Sequence, residues 1–439
     1  METRILRVDK SQALGKFEDS SLERWQIVPG QHNSMLEEAA SHLRQSDIPV
    51  AFPTETVYGL GADATRTGPV KGIYKAKGRP SDNPLIVHVC DLKMLRSLLR
   101  QAPAVNGNGN GNGPVSPETD PIPEIYKSII SRFWPGPITM LFRKPAPDEK
   151  SSRQLAPEVT AGLKTFGVRM PDSALALSLI KIADTPLAAP SANASTKPSP
   201  TAAQHVKDDL DGRIELILDG GSCQVGVEST VVDGLCSPPV ILRPGGISME
   251  ELKTCPGWEQ VEAGYKDKSE EGKAAPRAPG MKYKHYSPKA KVILYEHSAG
   301  IVDQPPLSDL EKVAHGGSES DAAPMPNGNS AQKRIIGIIR TRRWRKLPLS
   351  DTTSLNGHGQ NGNADHQIIE GKVPEVSATA LDIDLGQDTR SIAHGLFSAL
   401  RELDQQGAQV IFVEGVEDSE DIAAAVMNRL RKAASEIKA

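Results

Sequence analysis

The 439 residues are enough for two or three domains. Lysine plus arginine is 51 against 55 for aspartate plus glutamate, and a formal charge of -4 argues against a dedicated nucleic-acid coat protein while leaving room for a local basic cleft. Cys90, Cys223, Cys236 and Cys255 form no C-x-x-C pair and no zinc spacing, so no metal centre is expected and reduced thiols are the default. There is no apolar signal core at the start and no long apolar run, so a soluble, cytoplasmic protein without a membrane segment is expected.

In chain order, Arg4 to Val8 is a short strand-like run, and 33–46 carries a helical pattern before the apolar strand Ile48 to Phe52. Pro53 to Gly61 reads as a polar turn rich in hydroxyls and glycine. Between Asp63 and Asp82 there is no carboxylate, yet Arg66, Lys71, Lys75, Lys77 and Arg79 all fall there. Lys71 and Lys75 share a helix face, Gly78 is a plausible helix stop, and Pro84 to Val89 is a strand entering the core. Helices follow at 91–101, 122–134 and 173–183, with strands at Ile138 to Phe142, Phe166 to Met170, Ile214 to Leu218, Val227 to Val232 and Val240 to Leu242.

This irregular mixture predicts an α/β domain with a twisted mixed sheet over 1–255, carrying a disordered Asn-Gly insert at about 104–120. Residues 256–290 are polar and rich in proline and glycine, which predicts a linker. From 291 to 439, strands at Val292 to Tyr295, Ile335 to Ile339 and Val410 to Val413 alternate with helices at 390–406 and 420–435. That predicts a smaller, Rossmann-like α/β domain with disordered loops at about 303–331 and 350–375.

The common nucleotide signatures are absent. Gly221 to Gly226 has the glycine spacing of a phosphate loop, but Val227 and Glu228 follow where Lys and Ser or Thr belong. Gly59-Leu60-Gly61-Ala62-Asp63-Ala64 imitates a dinucleotide fingerprint, but Pro-Thr-Glu-Thr separates it from its strand. What remains is a set of small-polar loops: Thr54 and Thr56 around Glu55, Ser191-Ala192-Asn193 followed by Ser195 to Ser199, and Glu228-Ser229-Thr230. Each alone is an ordinary turn; together they supply hydroxyl and amide donors beside Lys77, Arg79 and Arg169. Arg169 lies inside a strand and needs an anionic partner unless it faces the surface.

Phe52 to Leu60, Lys77-x-Arg79, Asn83-Pro84-Leu85, Trp134-Pro135-Gly136-Pro137, Val168 to Pro171, Ala189 to Asn193, Glu228-Ser229-Thr230 and Leu242 to Gly245 together resemble the YrdC-domain family, the L-threonylcarbamoyladenylate synthases. The resemblance covers about 35–250, and Ala278 to Pro288 and the C-terminal stretch resemble the long, two-domain form. It implies that L-threonine, bicarbonate and ATP, with a magnesium ion, give threonylcarbamoyl-AMP and pyrophosphate for tRNA modification through a downstream threonylcarbamoyl-transferase complex. By that resemblance Lys77, Arg79, Ser191 and Asn193 form the catalytic core. Arg79, Asn83, Thr165, Ser191, Ser199, Arg243 and Tyr286 contact ATP. Thr54, His88, Arg169, Ala189 and Ser229 enclose threonine, with Arg169 as a carboxylate clamp.

From Gly272 to Tyr295 there is again no carboxylate, only lysines and Arg277, so this stretch is expected to lie over an anionic pocket as a lid through Tyr286. The rival reading is an RNA-binding module without catalysis, and weak RNA binding is a further expectation. A nucleotide-sensing role would concern the C-terminal domain alone.

Overall fold

A computed structural model describes residues 1–9, 13–30, 33–99, 120–145, 153–265, 286–300, 304–315, 334–356, 366–374, 376–418 and 422–439. They form two compact units. The first is Met1–Ser195, Pro200–Gln224 and Glu228–Tyr283; the second is Thr196–Ser199, Val225–Val227 and Lys284–Ala439. Among the described residues no helix is long and apolar enough to cross a membrane. Apart from Asp120, the insert expected at 104–120 lies outside them.

The first unit begins with β1 (Arg4–Arg7), β2 (Gly15–Phe17), β3 (Trp25–Ile27), α1 (Asn33–Gln45), β4 (Val50–Phe52), β5 (Gly59–Asp63), α2 (Thr67–Lys77), β6 (Ile86–His88) and α3 (Leu92–Leu99). It continues with α4 (Glu124–Phe133), β7 (Ile138–Arg143), α5 (Pro157–Thr160), β8 (Thr165–Arg169), α6 (Ala174–Ala183) and β9 (Leu187–Ala188). It closes with α7 (Ala203–Leu210), β10 (Leu216–Asp219), β11 (Thr230–Asp233), β12 (Val240–Arg243), α8 (Met249–Lys253) and β13 (Glu262–Ala263).

Apart from the β2–β3 hairpin, these strands share one mixed sheet in the order β1-β10-β4-β5-β9-β6-β8-β7-β11-β12-β13. α1 buries Leu36, Ala39, Ala40 and Leu43, the spacing of a single helix face. α6 is apolar almost all round and is buried between α1 and the hairpin. The stretch expected as a turn through Gly61 is strand from Gly59 onward, paired antiparallel with β4. Glycine permits that approach, because a Cβ on Gly61 would stand 2.5 Å from the Phe52 ring. The expected linker also starts later than its composition suggests. Trp258 is fully buried, stacks on Tyr126 and donates its indole N–H to the Ile125 carbonyl at 2.8 Å.

The second unit runs β14 (Lys291–Tyr295), α9 (Leu307–His315), β15 (Arg334–Arg340), β16 (Ser350–Asn356), β17 (Gln367–Lys372), β18 (Ala378–Asp384), α10 (Thr389–Gln405), β19 (Val410–Glu414), α11 (Ala423–Ala433) and β20 (Glu436–Lys438). Its sheet has the order β16-β17-β18-β15-β19-β14-β20. The five strands from β18 to β20 are parallel, and β17 and β16 extend one edge antiparallel.

Two expected loops are corrected here. Within 303–331 most of the described part forms helix α9, and most of the described part of 350–375 forms β16 and β17. The Ser350–Asn356 edge strand escapes a hydrophobic reading because its side chains are mostly exposed and its backbone ladder holds it.

Trp258→Ala is expected to cost roughly 3–5 kcal/mol, the range for emptying a large aromatic site. Urea unfolding followed by tryptophan-independent circular dichroism measures it; a loss under about 1 kcal/mol would mean that 256–265 is a linker after all.

Candidate active site

α2 ends where the chain turns left-handed. Gly78 has φ 62°, its N–H reaches the Lys75 carbonyl, and the Arg79 N–H reaches the Tyr74 carbonyl at 3.0 Å. Lys77 is thus the last helical residue, and Arg79 leaves on the far side of the turn. Lys77 is 3 % exposed. Its ammonium donates to the Ser191 carbonyl at 2.5 Å, the Asn193 carbonyl at 2.7 Å and Asn193 Oδ1 at 3.3 Å. The Ser191 hydroxyl donates to Asn193 Oδ1 at 2.5 Å. The segment carrying these residues lies antiparallel to β5, through Leu60 N–H to Pro190 O and Ala192 N–H to Tyr58 O. Lys77, Ser191 and Asn193 are therefore one cluster.

Arg79 is half-buried and lines an open cleft with Lys71, Tyr74 and Lys75. The Tyr74 hydroxyl reaches the carbonyls of Asn83 (2.8 Å) and Glu158 (3.1 Å), fixing the turn that carries Arg79 and Asn83. Burial, more than its charged neighbours, pushes the Tyr74 phenol up to about 12. Asn83 is buried, and its side-chain oxygen has no hydrogen-bond partner among the described residues. Thr165 opens β8 and is half-buried.

A second constellation lies on β6, β8, β7 and β11. His88 and Arg169 are register partners on neighbouring parallel strands. The Thr54 hydroxyl accepts from the N–H groups of Thr56 and Val57 and closes the turn after β4. Arg169 is 4 % exposed, so it does not face the surface. Its Nη1 donates to the Thr56 hydroxyl at 2.8 Å, its Nε to the Gly136 carbonyl at 3.3 Å, and its Nη2 lies 2.6 Å from Glu55 Oε2. The anionic partner that a buried strand arginine requires is thus Glu55, from the chain itself.

The hydroxyls of Ser229 and Thr139 meet at 2.8 Å. Arg243 donates from Nη2 to the Ser229 carbonyl at 2.8 Å and to its hydroxyl at 3.1 Å, so two residues expected in different subsites are in direct contact. The Ala189 N–H is bonded to Ile86 O at 2.9 Å.

Ser199 and Tyr286 belong to the second unit. Tyr286 is buried there, with its ring 5.2 Å from Phe397 and the Arg429 guanidinium 5.9 Å from its centroid. Most of the expected lid, 266–285, lies outside the described residues.

Glu55, Thr56 and Thr139 were not singled out as site residues from the sequence. The available signal for Glu55 was the buried arginine itself, which demands a carboxylate without saying which. His88 is pushed down to about 3, first by burial and then by Arg169. Its ring is neutral at working pH.

Two outcomes are expected. Glu55→Gln leaves the Arg169 charge buried and uncompensated and should cost about 3–5 kcal/mol, with Glu55→Gln/Arg169→Met recovering much of it; a double-mutant cycle in urea measures both. For His88 the folded value lies below the ordinary 6.5, so the unfolded chain takes up the proton first. Its contribution to stability is complete above about pH 6.5 and is lost as pH falls from there toward 3. Unfolding free energies of the wild type should therefore drop more steeply between pH 7 and 4 than those of His88→Asn, and parallel curves would contradict this.

Comparison with known proteins gives the family. The Sua5/YciO/YrdC family model, described as "Telomere recombination", matches residues 42–245, and the model described as "Threonylcarbamoyl-AMP synthase, C-terminal domain" matches 247–435. The threonylcarbamoyl-AMP synthase of Schizosaccharomyces pombe is 46% identical over 99% of this chain and 98% of its own length. That of Bacillus subtilis is 38% identical over 92% of this chain and 94% of its own. The crystal structure of P. abyssi Sua5 complexed with L-threonine has a TM-score of 0.69 at 34% identity and covers 99% of each chain. The chain belongs to the Sua5/YciO/YrdC family, in the two-domain form that carries the threonylcarbamoyl-AMP synthase C-terminal domain.

Proposed function

We infer that this protein is a threonylcarbamoyl-AMP synthase, which joins L-threonine, bicarbonate and ATP into threonylcarbamoyl-AMP and pyrophosphate for tRNA modification. The threonine amine combines with bicarbonate to give a carbamate and water. A carbamate oxygen then attacks the α-phosphorus of ATP, forming the mixed anhydride as the bond to pyrophosphate breaks. All these partners carry negative charge, so positioning and charge neutralisation carry the chemistry.

The single observation that most favours this reading is the Lys77 ammonium held by carbonyl oxygens of Ser191 and Asn193. These acceptors hold the ammonium at a fixed point, where it can meet phosphate and carbamate oxygens. In this reading Lys77, Arg79, Ser191 and Asn193 surround the reacting groups. Asn83, Thr165 and Arg243 contact ATP. Thr54, His88, Arg169, Ala189 and Ser229 enclose threonine.

With Glu55 already on Arg169, a substrate carboxylate would use the guanidinium N–H groups that Glu55, Thr56 and Gly136 leave over. Among the described residues no group of three His, Cys, Asp or Glu side chains could hold a metal ion. A magnesium ion would therefore come with ATP rather than rest on a protein site, and would neutralise phosphate charge. The product passes to threonylcarbamoyl-transferase partners acting on tRNA. The four cysteines are free thiols, which suits the cytoplasm.

The test is mass spectrometry of product after mixing the pure protein with threonine, bicarbonate and ATP–magnesium. Threonylcarbamoyl-AMP should form without RNA, and Lys77→Ala and Arg79→Ala should each slow it by about 100-fold or more, the effect of removing a preorganised charge contact. Wild-type rates in both variants, or a strict need for RNA, would reject the reading.

A further inference from the structure

The second unit contains a feature that none of the chemistry above uses. In its sheet β15 and β19 are adjacent and parallel. The chain leaving β15 crosses to β16 at one edge, whereas the chain leaving β19 runs through α11 to β20 at the other. Connections that diverge in this way open a crevice outside the carboxyl ends of the two strands, the place where open α/β sheets take their ligands. The loop at that position is Arg340-Thr341-Arg342-Arg343-Trp344-Arg345-Lys346. Such a basic loop, with converging main-chain N–H groups, is suited to phosphate.

The crevice is filled by the chain's own carboxylate. Glu414, the last residue of β19, is fully buried. Its Oε2 accepts from the Thr341 N–H at 2.7 Å and the Trp344 N–H at 3.1 Å, and its Oε1 accepts from the Arg343 N–H at 2.6 Å. The Arg343 Nε lies 3.8 Å from Oε1. Two more of the loop's cations are also engaged internally: Arg340 with Asp382 (2.8 Å) and Asp384 (2.9 Å), and Arg342 with the Gln387 carbonyl (3.0 Å) and the Thr389 hydroxyl (2.6 Å). The Thr341 hydroxyl is buried and has no hydrogen-bond partner among the described residues.

We propose that Glu414 is a built-in anion that closes this crevice to phosphate-bearing ligands, so that the second unit takes no nucleotide. An incoming phosphate would have to expel a tethered carboxylate that cannot leave the protein. The expelled charge would be stranded in a fully buried position, at a cost that a few phosphate contacts do not offset. The inference is independent of the synthase reading, because it concerns only the geometry of the second unit.

Two measurements on the full chain test it. Hydrogen exchange of the wild type with and without saturating ATP should show unchanged protection over Thr341–Trp344; a change there overturns the proposal. Equilibrium binding of inorganic phosphate should show one more equivalent in Glu414→Ala than in the wild type, lost again in Glu414→Ala/Arg343→Ala. A folded Glu414→Ala protein that binds no more phosphate than the wild type also overturns it. If Glu414→Ala does not fold, Glu414→Gln decides, since it keeps the volume and loses the charge. Its amides over 341–344 should exchange roughly tenfold faster, as expected when charge-assisted hydrogen bonds become neutral ones, and wild-type exchange there is the overturning result.

Discussion

The first unit depends on one ammonium group. Lys77 sits at the end of α2, and its Nζ ties that helix end to the carbonyls of Ser191 and Asn193, more than a hundred positions along the chain. The tie is returned by the Ser195 N–H, which donates to the Lys77 carbonyl at 3.0 Å. Helix end and small-polar segment are therefore one piece of structure. These carbonyl oxygens settle the position of the ammonium.

Arg169 is handled in the opposite way. It is buried as deeply as Lys77, but it is matched at 2.6 Å by Glu55, whose side chain is only 4% exposed. That pair has almost no net charge and contributes direction: a planar guanidinium held by a carboxylate, a hydroxyl and a carbonyl. Burial first, and then the neighbouring Arg169, keep His88 neutral.

What could be read from the sequence divides along the same line. The Gly78 stop and the flanking of that stop by Lys77 and Arg79 are local, and residue types within a few positions determine them. The mixed sheet followed from the irregular spacing of strands. The meeting of Lys77 with Ser191 and Asn193 is a long-range contact that no periodicity encodes, and family resemblance alone pointed to it. Glu55 could be demanded by a buried arginine but not located. Trp258 lies in a polar, glycine-containing stretch whose composition conceals its burial, and Ser350–Asn356 is strand because of backbone pairing rather than apolar side chains.

The turn between Gly78 and Asn83 carries one further consequence. It is held at its start by the left-handed glycine and at its end by the Tyr74 hydroxyl on the Asn83 carbonyl. Arg79 and Asn83 therefore hang from a backbone whose conformational freedom was surrendered during folding. Capture of a ligand there requires little reorganisation of the main chain, so affinity is spent on the ligand rather than on ordering the loop that meets it.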